Sequence, residues 1–371
     1  MKFTYLQPFP LESGAVLPGY HLEYTTHGTL NETGDNVIWI FHALTANSDP
    51  AEWWPGLVGN GRIFDPSVYF IICVNMPGSC YGSISPLDKD PHSGAPYYHD
   101  FPLFTPRDMI RTYRPLREFL GIRKIYIGIG GSMGGQQLLE WAIEEPELFR
   151  HIVPIATNAQ HSPWGIAFNT AQRMAIEADS TWQQRREDAG LNGMKAARAV
   201  ALLSYRDYEA YEVLQPRPEN FLSENLPGSE SGENDGTAFR NGAASYQRYQ
   251  GEKLANRFNA FSYYTLSLSM DSHDLGRGRG GVDNALQQVR ARALVISIET
   301  DILFPKSEQQ GLASGIPGAA YRLIYSLYGH DGFLLEYAQI AELISEFVET
   351  NPAGEIRDAS YHSKSINNPY K

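Results

Sequence analysis

Apolar positions follow two alternating rhythms through the first 160 or so residues of this 371-residue chain. Val37–Phe41 (VIWIF) and residues 69–74 (YFIICV) are continuous apolar runs, the second closed by Pro77-Gly78, as in strands covered on both faces. Thr105-Pro106-Arg107-Asp108 is a capping pattern. It opens a helix whose apolar residues Met109, Ile110, Tyr113, Leu116 and Leu120 recur at helical spacing until Gly121. Residues 125–129 predict the next strand, a helix follows to Glu144 ahead of Pro146, and HIVPIA (151–156) predicts another strand. Strand and helix in alternation imply an α/β fold with a mostly parallel sheet and helices on both faces.

From residue 164 the alternation stops. Helical runs at 192–211 and 245–257 flank the acidic, glycine-rich stretch LPGSESGENDG, and no strand pattern appears until the α/β rhythm returns. There, residues 294–298 predict a strand, and YRLIYSLYGHDGFLLEYAQIAELISEFVE reads as a strand (321–327), a loop and a closing helix. The expected organisation is a core in two parts, 1–163 and 285–351, a helical insertion at 164–284, and a polar tail at 352–371. No internal repeat is visible.

Composition narrows the function classes. A hydrophobic share of 42% and a mean hydropathy of −0.34 suit a globular chain. The formal charge of −12 repels nucleic acid and anionic membrane, so neither is expected as a partner. Cys73 and Cys80 offer neither a disulfide framework nor a metal spacing, and Cys80 reads as a small turn residue. The first residues lack an apolar signal core and no apolar run approaches the roughly 20 residues of a membrane span, so a cytoplasmic location is expected.

Chemistry concentrates in IYIGIGGSMGGQQLLEWA, where Gly130-Gly131-Ser132-Met133-Gly134 matches G-x-S-x-G between a strand and a helix. A serine on so sharp a turn needs small neighbours, and the helix start behind it directs amides and a positive dipole end at developing negative charge. A phosphate-binding loop is the competing reading. It lacks both the lysine of GK[ST] and an acidic residue after the next strand. Serine needs a base and the base a carboxylate, in the order serine, acid, histidine on such a fold. Asp301 follows strand 294–298 and His330 follows strand 321–327, both where the carboxyl edge of the sheet would lie. Asp283, Asp331 and His273 occupy less suitable contexts. In FHALTA the Leu44 amide is the candidate second oxyanion donor beside that of Met133, while His42 is expected to shape the loop.

With these residues in place the chain resembles the homoserine O-acetyltransferase family of the α/β-hydrolase superfamily. FHALTA, VNMPGSCYGS, GGSMGGQQLLEWA, IAFNTAQRMAI, SYQRYQGEKLANRFNAFSYY, GRGRGG, TDILFP and YGHDGFLLE resemble family segments in the same order, over nearly the whole chain up to the tail. The resemblance implies an α/β-hydrolase fold whose helical insertion is a lid and a homodimer surface. It also implies acetyl transfer from acetyl-CoA, a co-substrate, to L-homoserine in methionine biosynthesis, through an acyl-enzyme on Ser132 served by Asp301 and His330. No cofactor or metal is expected.

In the family a lid arginine and the aspartate beside the catalytic histidine hold the amino-acid acceptor; the matching residues here are Arg206 and Asp331. A lid tyrosine is also used, with Tyr208 and Tyr211 both open. Arg277 and Arg279 of GRGRGG are candidates for coenzyme A phosphates or, more plainly, part of a flexible return from lid to core. Two stretches depart from the family pattern and bear on donor and acceptor choice: Ala46-Asn47-Ser48-Asp49-Pro50, where the family often has Gly-Asp-Ser-His after HALT, and Gln136, where it has methionine. The alternatives are succinyl-CoA as donor, L-serine as acceptor, an esterase or thioesterase with the same triad, and a non-catalytic binding module.

Overall fold

In the computed structural model, which describes residues 1–217 and 242–349, eight strands form one sheet. They are β1 (Lys2–Tyr5), β2 (Tyr20–His27), β3 (Val37–Phe41), β4 (Phe70–Val74), β5 (Ile125–Gly131), β6 (Phe149–Ile155), β7 (Arg292–Ile298) and β8 (Ala320–Ile324). Their spatial order is β1-β2-β4-β3-β5-β6-β7-β8, with β2 antiparallel to both neighbours and the strands from β4 to β8 mutually parallel. Because β3 and β5 are neighbours although β4 intervenes in the chain, the connections after them diverge. That leaves a crevice at their carboxyl ends, the usual place for a site in such sheets.

The middle strands are apolar on both sides because both sides are covered. Trp39 and Phe41 of β3 face a layer with Tyr113 and Trp141, whereas Ile38 and Ile40 face Trp54, Phe64 and the closing helix. Helix α1 (Pro106–Phe119) starts with the full capping box read from the sequence: Thr105 Oγ1 accepts from the Asp108 amide at 3.1 Å and Asp108 Oδ2 accepts from the Thr105 amide at 3.1 Å. Helix α2 (Met133–Glu144) follows β5 directly.

Between β6 and β7 the chain leaves the sheet for α3 (Pro163–Glu177), α4 (Leu191–Tyr205), α5 (Tyr208–Leu214), α6 (Gly242–Ala255) and α7 (Ala260–Asp271). The two stems of this insertion are paired: the His161 amide donates to His273 O and the Leu275 amide to Ala159 O, both at 3.0 Å. The stretch LPGSESGENDG and the tail 352–371 lie outside the described residues. Helices α8 (Lys306–Gly315) and α9 (Tyr337–Glu349) flank β8.

Several expectations are corrected. The antiparallel pair β1–β2 was not read from the sequence, and the last strand is Ala320–Ile324, three residues shorter at its end than 321–327. The helix expected over 192–211 is two helices, with Arg206 extended (φ −115°, ψ 148°) between them. Gly329, remote in sequence and with φ +59°, packs against this break so closely that a Cβ would lie 2.9 Å from the Asp207 amide nitrogen.

The GRGRGG return is likewise anchored, with both guanidiniums committed to carboxylates. Arg277 bonds Glu12 at 2.8 Å, and Arg279 bonds Glu140 at 2.7 Å and Glu144 at 3.3 Å. Arg107 joins Glu12 and Glu140 from the other side, at 2.8 and 3.1 Å. Glu140 is almost wholly buried, and its carboxylate is paired there with both arginines.

Candidate active site

Ser132 stands at the turn from β5 into α2 with φ 55° and ψ −127°, a backbone state that costs an L-residue about 1–3 kcal/mol. The glycines around it are required by close approach. A Cβ on Gly130 would lie 2.6 Å from the Gly134 carbonyl carbon, and one on Gly134 would strike the Phe41 carbonyl oxygen. The start of α2 is thereby pressed onto the loop after β3, which carries Leu44. The amides of Leu44 and Met133 have no protein acceptor among the described residues.

Asp301 and His330 meet across the ends of β7 and β8. His330 Nδ1 donates to Asp301 Oδ2 at 2.6 Å, and Asp301 Oδ1 accepts from the amides of Leu303 and Phe304, each at 2.9 Å. Three of the carboxylate's four acceptor directions are thus filled, and both residues are buried. The imidazole is held by rings. Phe304 stacks on it at 5.1 Å and 24°, and Phe333 meets it edge-on at 5.3 Å. Phe333 also lies against Gly131, the residue before Ser132, so histidine and serine share a wall.

Arg206 and Asp331 are also brought together. Arg206 Nε lies 3.1 Å from Asp331 Oδ2, with its guanidinium 5.0 Å from the centre of the Tyr328 ring. Asp331 adjoins His330, so the ion pair is set beside the imidazole. Of the lid tyrosines weighed from sequence, Tyr208 is exposed and Tyr211 packs on Tyr246 and accepts a hydrogen bond from Gln247. The tyrosine next to the histidine is Tyr205, ring to ring at 5.8 Å. Its position one residue before Arg206 was the only signal for it in the sequence.

Other polar groups around the site bond to the protein itself. His42 Nδ1 donates to Ala43 O at 2.8 Å and Nε2 accepts from the Met76 amide at 3.1 Å, so both nitrogens are engaged and burial holds its pKa down at about 4. Gln136 faces the insertion stems, donating to Asn158 Oδ1 at 3.0 Å, with His161 Nδ1 at 3.5 Å. Burial also pushes His161 down to about 4 and His273 to about 3. Asp49, the other departure from the family pattern, caps a short helix through the Ala51 amide. Burial pushes the Cys80 thiol up to about 12, so it stays protonated. Among the described residues no cluster of potential ligands could hold a metal, and no helix is long and apolar enough to cross a membrane.

A family model for the alpha/beta hydrolase fold matches residues 36–337. The homoserine O-acetyltransferase of Cyclobacterium marinum is 48% identical over 341 residues, spanning 92% of this chain and 93% of that protein. Among solved structures, the homoserine O-acetyltransferase of Bacillus anthracis superposes with a TM-score of 0.85 at 24% identity, over 96% of this chain and 98% of the other. An acetylester hydrolase of Corynebacterium glutamicum superposes with a TM-score of 0.79, also at 24% identity, over 94% and 96%. Those two structural likenesses speak to the fold, which carries both transferase and hydrolase chemistry.

Proposed function

We infer, for a chain that belongs to the homoserine O-acetyltransferase family of α/β hydrolases, an acetyl transfer from acetyl-CoA to the hydroxyl of L-homoserine. The product is O-acetyl-L-homoserine, for methionine biosynthesis. Ser132 Oγ attacks the thioester carbonyl while His330 Nε2 takes its proton, and the imidazolium is balanced by Asp301 at Nδ1. The amides of Leu44 and Met133 receive the oxyanion. Collapse breaks the C–S bond, and coenzyme A leaves with the proton from His330. The homoserine hydroxyl then attacks the acetyl-serine, His330 accepting its proton and returning it to Ser132 Oγ.

The observation that carries the choice of acceptor is the Arg206–Asp331 pair beside His330. A zwitterionic amino acid offers a carboxylate and an ammonium group, and entering between the two partners it replaces one ion pair by two. Water needs neither. The same reading makes the helical insertion a lid. Its exposed Leu203, Tyr208, Val213 and Tyr249 support a homodimer formed through that surface.

Coenzyme A release from acetyl-CoA, followed with and without L-homoserine in wild type and Arg206→Gln, tests this. L-homoserine should accelerate release by the wild type, and Arg206→Gln should lower kcat/KM for the acceptor by roughly 100-fold, the worth of a charge-assisted hydrogen bond. Acceptor-free turnover should stay unchanged. Release at one rate with or without L-homoserine means the acceptor is water and the enzyme a hydrolase. Succinyl-CoA and L-serine in the same assay settle donor and acceptor.

A further inference from the structure

Three non-glycine residues among those described have a positive φ, and two of them, Ser132 (55°) and Ala156 (45°), belong to the ends of neighbouring strands β5 and β6. They are tied together. The Ser132 amide donates to Ile155 O at 3.0 Å, and Thr157 Oγ1 donates to the Ser132 carbonyl at 2.8 Å. Both backbone polar groups of the strained serine thus have a partner in one three-residue stretch with the left-handed Ala156 at its centre, and the carbonyl also accepts from the Gly135 and Gln136 amides of α2, at 2.9 and 3.2 Å.

Thr157 is itself immobilised. It is fully buried, and its methyl group packs on Gly135 so tightly that a Cβ there would lie 2.6 Å from Cγ2. Its carbonyl accepts from Gln309 Nε2 at 2.7 Å, and Gln309 is also fully buried. Gln309 lies on α8, whose first residue follows Asp301 by only a short turn. A set of hydrogen bonds therefore runs from α8, the helix that follows the Asp301 turn, through Thr157 to the backbone of the serine.

The carbonyl of Ser132 and the amide of Met133 are two ends of one planar peptide and point in opposite directions. Holding the oxygen from behind aims the N–H at the crevice and sets the χ1 origin of the serine hydroxyl. We propose that Thr157, braced by Gln309, is a positioning residue for acyl transfer: its hydroxyl orients the Ser132–Met133 peptide, and with it both nucleophile and oxyanion donor. This rests on Ser132 being the nucleophile.

The test compares Thr157→Val, which keeps the shape and the methyl contact, with Thr157→Ser, which restores the hydroxyl. The probe is a small alkyl fluorophosphonate, whose P–F bond breaks as serine Oγ bonds to phosphorus, fluoride leaving and the proton passing to His330. Thr157→Val should lower both the rate of Ser132 labelling and kcat about 10- to 100-fold, the scale set by a small misplacement of reacting groups, with KM for acetyl-CoA nearly unchanged.

Thr157→Ser should recover most of the rate, and Gln309→Met should act in the same direction, providing the readout if Thr157→Val does not fold. A Thr157→Val protein that melts earlier but labels at the wild-type rate overturns the proposal alone. A wild type that takes no label on Ser132 overturns the nucleophile and the proposal with it.

Discussion

Ser132→Ala is expected to lose acetyl transfer by at least ~10⁴-fold, because serine and histidine act as a unit and removing either removes the covalent route. What makes the experiment clean is the origin of the strain. The φ of 55° is imposed by Ser132's carbonyl and amide partners and by close packing of the glycines, none of which involves Oγ. Alanine has the same Cβ. Thermal unfolding should therefore match the wild type within the scatter of a surface substitution, about 0.5 kcal/mol. The residual rate reports what the Leu44 and Met133 amides and substrate binding contribute without a nucleophile. Initial rates with saturating acetyl-CoA and L-homoserine check the prediction, and turnover within tenfold of wild type would place the nucleophile elsewhere.

Asp301→Asn should cost about 10⁴-fold in kcat, through the wrong histidine tautomer rather than lost geometry. The structure dictates which way the new amide must turn. Oδ1 receives two backbone N–H groups, from Leu303 and Phe304, so that position has to remain an oxygen. The amide nitrogen is left facing His330 Nδ1, where it can only donate, and the imidazole must then carry its proton on Nε2. A protonated Nε2 cannot accept from serine. The expected signature is a large fall in kcat with an unchanged fold, partly reversed as rising pH deprotonates the serine by other routes. Near-normal kcat in Asp301→Asn would show that His330 does not work as the base.

Much of this site was legible because its signals are local. Gly130 and Gly134 of the serine turn answer contacts within five residues or across one strand, and the Thr105–Asp108 box closes over three. The placement of Ser132, Asp301 and His330 after the strands β5, β7 and β8 followed from the same reading, as did Val37–Phe41, whose unbroken apolar run reflects cover on both faces. What failed depended on distant partners. The break before Asp207 packs on Gly329, more than a hundred residues away, and helical periodicity alone ran straight through it. Arg277 and Arg279 look free in a glycine-rich run, because Glu12 and Glu140 come from the far side of the chain. Strand β1 escaped notice for a different reason. It sits at the sheet edge, half exposed along its length, and buries too little to show a pattern. Thr157 carries no sequence signal at all, since its role depends on a single carbonyl on the neighbouring strand.

In the proposed reaction acetyl-CoA first acetylates Ser132 and L-homoserine then collects the group. Intact-mass spectrometry of the protein quenched after mixing with acetyl-CoA alone, followed by peptide mapping, addresses it directly. One added acetyl group is expected on Ser132, disappearing on a chase with L-homoserine as O-acetyl-L-homoserine forms. Product formation without any acetylated enzyme, or an acetyl group on another residue that the chase removes, would contradict it.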